Sequence, residues 1–135
     1  MGRGFKQWTS EERDASYRKT VRAIRDGAIP AANMLGCNRC GQKEGIVEYH
    51  NHNYDHPTNY LEALCYRCHM MLHNHHNNPP VVNAYFEDCW MRKAAGEPTP
   101  WPPMHERAFF SMMYDMGVFV RKAARQPMGR FGQSA

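Results

Sequence analysis

Apolar positions first recur at helical spacing in residues 10–26, where Tyr17, Val21 and Ile24 lie four and three apart. Thr9, followed three residues later by Glu12, is the capping-box signature of a helix start, and Gly27 supplies the stop. A short second helix is expected from near Pro30 to just before Gly36. The pattern then changes. The β-like run Ile46-Val47-Glu48-Tyr49 is followed by turn-prone residues around Asp55 and Pro57. Helices are expected again from about Cys68 to His76 and over residues 81–95, the latter closed by Gly96. Residues 97–103, with Pro98, Pro100, Pro102 and Pro103, read as a stiff linker. A last helix is expected over residues 104–125. Its stripe of Phe109, Met112, Met113, Met116, Phe119, Val120 and Ala123 belongs in a core.

Composition narrows the class. A chain of 135 residues with 42% apolar content supports one small domain with extensions, marginal on burial alone and helped by a metal staple. No apolar run approaches the length of a membrane span, and the first 25 residues are polar and charged, with no secretory h-region. The expected setting is the cytoplasm, where paired cysteines bind metal more often than they form disulfides. The net charge of +4 is unevenly spread. Residues 1–25 carry seven Lys/Arg against three acids, residues 116–135 carry four and none, and the segment between has six basic and ten acidic residues. Such ends either solubilise a small protein or grip a phosphate backbone. The candidate nucleic-acid contacts are Arg67, Arg121, Lys122, Arg125 and Arg130.

Two Cys-x-x-Cys turns, Cys37/Cys40 and Cys65/Cys68, supply the four sulfurs of a tetrahedral site for a structural Zn²⁺. Cys89, beside Trp90 in an expected helix, reads as an ordinary buried thiol. Seven of the eight histidines fall between positions 50 and 76. In a strand His50 and His52 share a face, and on a helix His69 and His73 lie one turn apart. A strand pair and a helix pair tethered to one zinc knuckle are placed to converge on a second ion. Surface histidines of a polar zinc module, or extra ligands for the first ion, are the plainer reading.

The strings Val47-Glu48-Tyr49-His50-Asn51-His52-Asn53-Tyr54 and Leu64-Cys65-Tyr66-Arg67-Cys68-His69, with His73 beyond, resemble the HNH or His-Me finger endonucleases. The small look-alikes with cysteine knuckles are often phage-encoded, which implies the cytoplasm of a bacterial host. The resemblance covers about residues 37–73. It implies an α+β fold with a zinc-stapled, treble-clef-like ββα-metal core over residues 37–78. The residues themselves, outside the resemblance, predict a basic helical extension (1–36), C-terminal helices (79–126) and a mobile basic tail (127–135) around that core. The resemblance also implies hydrolysis of DNA phosphodiester bonds with a second divalent ion, Mg²⁺, Mn²⁺, Ni²⁺ or Zn²⁺. In that reading His50, His69 and His73 hold the ion, and Asn59 has a structural role in the loop. The family's usual catalytic His position holds Asn51. Either Asn51 is a ligand and His52 the base, or His50 is the base with His69 and His73 holding the ion. With neither, the chain is a non-catalytic zinc module that binds nucleic acid or a protein partner.

Overall fold

A computed structural model describes residues 8–104 and 106–118. Helix α1 (Ser10–Arg25) starts where the sequence says it should. Thr9 Oγ1 accepts from the Glu12 amide at 3.0 Å, and Glu12 Oε1 accepts from the Thr9 amide at 2.8 Å. Helix α2 (Ala32–Leu35) is a single turn. Strands β1 (Val47–Asn51) and β2 (Leu61–Cys65) form one antiparallel pair, and helix α3 (Tyr66–His73) follows directly. Helices α4 (Pro79–Ala94) and α5 (Glu106–Asp115) complete the described order. The result is a small α+β arrangement with β-β-α at its centre. Among the described residues no helix is long and apolar enough to cross a membrane.

Several boundaries differ from the sequence expectation, each for a local reason. Helix α3 begins at Tyr66 rather than near Cys68, because Cys65 is its N-cap and accepts from the Cys68 amide through its sulfur. It ends at His73 rather than His76: the Asn74 side chain bonds back to the Met70 carbonyl at 2.8 Å, and one 3₁₀ turn (His75–Asn77) follows. Helix α4 takes in both prolines, which suit a first turn whose amides have no helical partner. Helix α5 stops at Asp115, not 125, because Gly117 turns into the left-handed region at φ 80° and brings the Val118 amide onto the Met113 carbonyl. Phe109 and Met113 are buried as expected, with Met112 and Met116 packed beside them. Phe119, Val120 and Ala123 lie outside the described residues.

The core is small: Leu64, Met71, Val82, Tyr85, Phe109 and Val118 surround the four clustered cysteines and Cys89. Strand register places the chemistry. Val47 faces Cys65, Glu48 faces Leu64 and His50 faces Glu62. Because side chains alternate, Glu48, His50, Glu62 and Leu64 share the face covered by α3, while Tyr49 and Asn51 share the other. On that second face the Tyr49 hydroxyl donates to the Pro30 carbonyl, and Asn51 Nδ2 donates to Ser16 Oγ of α1 at 2.9 Å.

Candidate metal centres

The turn carrying Cys37 and Cys40 docks on the outer edge of β2, where the Asn38 amide donates to the Ala63 carbonyl at 2.7 Å. Cys65 ends that strand and Cys68 lies in the first turn of α3, so the sheet itself delivers both halves of the cluster. The four Sγ atoms lie within 4.8 Å of one another, and all four residues are buried. Cys40 and Cys65 sulfurs are 3.7 Å apart. A ZnS₄ tetrahedron with bonds of about 2.3 Å has edges of about 3.8 Å, so the spacing suits a zinc ion. None of the five described cysteines is in a disulfide. Without a cation the thiols divide their protons unequally. Hydrogen bonds from Cys40 and the other two thiols pull Cys37 down, while Cys65 and Cys68 are pushed up, chiefly through their bonds to Cys37. A divalent ion lets all four sulfurs ionise together. The cluster can therefore hold a structural metal such as zinc.

Arg67 does not lie where the sequence reading placed it. It is 1% exposed, with its fork turned inward to Tyr85, Gln42 and Cys40, and it presents nothing to a phosphate. Arg121, Lys122, Arg125 and Arg130 lie outside the described residues.

The second constellation joins β1 to α3. His50, His69 and His73 each offer a ring nitrogen, all within 4.8 Å of one another. His69 Nε2 and His73 Nε2 are 3.1 Å apart, inside the range of about 2.9–3.4 Å set by two metal–nitrogen bonds of about 2.0–2.1 Å. Glu48 Oε1 accepts from His69 Nδ1 at 2.9 Å, which leaves His69 Nε2 to face the cluster. The Nδ1 atom of His50 is buried with no hydrogen-bond partner. The His52 ring stands 4.5 Å from that of His50, and His52 Nε2 meets Glu62 Oε1 at 2.8 Å. Glu62 is itself fixed by Asn38 at 2.8 Å and by both Nε and Nη2 of Arg39. Burial alone would raise its carboxyl, but hydrogen bonds from Arg39, Asn38 and His52 outweigh that and hold it at about 2.

Asn51 is not part of this cluster. Its amide is committed to Ser16 across the sheet and to the Asn53 backbone amide, which excludes it as a ligand in this arrangement. Asn59 is exposed and contributes only its backbone, donating to the His56 carbonyl. The loop is tied instead by Asn51 and Asn53, which accept from the amides two residues on. Neither Glu48 nor Glu62 is among the site residues expected from the sequence. Period two from His50 points to Glu48, whereas Glu62 requires the strand register. An open groove of about 560 Å³ between α1 and β1 reaches His50, His69 and His73, with Tyr17 and Val21 on its α1 wall.

Burial, then the neighbouring histidines, holds His50 at about 3, and burial then His69 holds His73 at about 4. Both are depressed from the ordinary value near 6.5, so both stay neutral in the fold and take up protons on unfolding. Their contribution to metal-free stability is whole above about pH 6.5 and is lost as pH falls toward 4 and then 3. Melting temperature should therefore drop more between pH 7 and pH 5 in the wild type than in a His50→Gln/His73→Gln double variant. Equal drops would contradict the assignment.

No protein family, curated protein or solved structure matches this chain.

Proposed function

We propose that this chain is a metal-dependent phosphodiesterase of the HNH type, acting on DNA, with a treble-clef-like zinc knuckle as its scaffold. The observation that carries the reading is the convergence of His50, His69 and His73, with Glu48 behind His69. Carboxylate-backed histidines of this kind are the usual dress of a metal ligand. When bound, the ion would stabilise charge on the phosphate and on the departing 3′ oxygen. His52 is the general base. An ionised Glu62 only accepts, so His52 Nε2 carries the ring proton and Nδ1 is left to take one from the attacking water. Exposed arginines on α1 (Arg18, Arg22 and Arg25) add charge for the DNA backbone, which gives affinity without sequence choice.

One observation favours the non-catalytic alternative: the residue at the family's usual base position, Asn51, is built into the contact between the sheet and α1. Metal stoichiometry and plasmid cleavage separate the two. The nuclease reading expects two ions per chain, one tight and one exchangeable, with nicking of plasmid DNA in Mg²⁺, Mn²⁺ or Ni²⁺. His69→Ala should keep the first ion and lose both the second and the nicking. A single ion per chain, with no cleavage in any of these metals, would leave the zinc module.

A further inference from the structure

Arg67 is a buried cation in an unusual position. Among the described residues it makes no salt bridge to a carboxylate, although it is 1% exposed. A buried guanidinium without a negative partner is costly, because desolvation of its charge goes uncompensated. Its contacts show where the negative charge resides. Nη2 donates to Cys40 Sγ at 3.3 Å, and Nε donates to the Tyr85 hydroxyl oxygen at 2.7 Å. Since that oxygen is already accepting, the Tyr85 hydroxyl proton is free to point at Cys68 Sγ, 3.1 Å away. The other two sulfurs accept from the backbone: Cys37 from the Cys40 amide at 3.5 Å and Cys65 from the Cys68 amide at 3.4 Å. Every sulfur of the cluster thus has a donor aimed at it. Four donors suit four thiolates, which accept strongly, better than four thiols, each of which carries a proton of its own.

A divalent ion with four thiolates carries a net charge of −2. From this arrangement we infer that Arg67 is the charge partner of a filled four-cysteine centre, compensating half of that charge from inside the core. It acts directly on Cys40 and through Tyr85 on Cys68. The same fork reaches the linker after α4: Nη2 to Thr99 Oγ1 at 3.2 Å, Nη1 to the Pro102 carbonyl at 3.5 Å, and the guanidinium carbon 4.8 Å from the centre of the Trp101 ring. The role does not depend on nuclease activity, and it stands or falls separately from the histidine site.

The test is zinc release from the full-length zinc-loaded protein into excess chromogenic chelator at fixed pH, for wild type, Arg67→Gln and Arg67→Lys. Arg67→Gln removes a charge-assisted hydrogen bond to a thiolate, so it should release zinc about 10–100-fold faster than wild type. Arg67→Lys keeps the charge and loses the fork, and its release should lie clearly nearer the wild-type rate. Equal release from the Lys and Gln variants would overturn the inference and reduce Arg67 to a packing and hydrogen-bonding residue. If Arg67→Gln does not fold even in saturating zinc, folding of Arg67→Lys under the same conditions supports the charge role, and failure of both overturns it.

Discussion

Cys65→Ser is expected to leave a protein that does not retain zinc and does not fold at ordinary temperature. Cys65 is at once the last residue of β2, the N-cap of α3 and a corner of the sulfur cluster, with no exposed surface. Structural zinc contributes on the order of 10 kcal/mol in small domains, against a total stability of about 5–15 kcal/mol for a natural domain. Little else could make up the loss, because the core outside the cysteines is thin. Cys89→Ala is the matched control: it removes a buried sulfur beside the same core but no corner of the tetrahedron. It should fold with one tightly held zinc and a modestly lower melting temperature. Circular dichroism and metal analysis of the two variants make the comparison, and similar melting in both would refute the four-cysteine assignment.

His52→Ala should keep both ions and lose turnover by about 10²–10⁴-fold, the usual cost of a positioned general base. His50→Ala should instead lose the exchangeable ion, because it removes one of three converging nitrogens. The two measurements are metal content and single-turnover cleavage of plasmid DNA. If His50→Ala retains both ions while losing turnover, the base is His50. Asn51→His should give no gain in either, since position 51 faces Ser16 on the side of the sheet away from His50. A large gain there would mean that the strand carries its chemistry in another register.

What could be read from the sequence was what depends on near neighbours. The Thr9–Glu12 cap, the two cysteine turns and the 69/73 helix pair each follow from spacing within a few residues, and each has its expected local geometry. Features that depend on distant parts of the chain could not be read. Glu62 meets His52 only because β1 and β2 pair in one register out of several, and nothing near Glu62 announces it. Arg67 resembled every other basic residue of a basic chain. A count of Lys/Arg against Asp/Glu leaves out the cysteine sulfurs, one of which accepts from its Nη2. The end of α5 is not legible in the sequence because the apolar stripe continues past Gly117, while the backbone at Gly117 turns into the left-handed region.

Among the described residues helix α1 buries little apolar surface. Its inward residues are Ser16 and Thr20, Tyr17 is 68% exposed, and its start is anchored by Trp8, whose indole nitrogen donates to Asp55. Among the described residues the apolar burial is therefore uneven: most of it surrounds the cysteines, and α1 is expected to open at lower cost than that half. Since α1 forms one wall of the groove over the histidines, detaching it would widen the approach for a polymer as thick as a DNA duplex. The arrangement of the three histidines would not change, because His50, His69 and His73 stand on β1 and α3, beside the cysteine cluster rather than on α1.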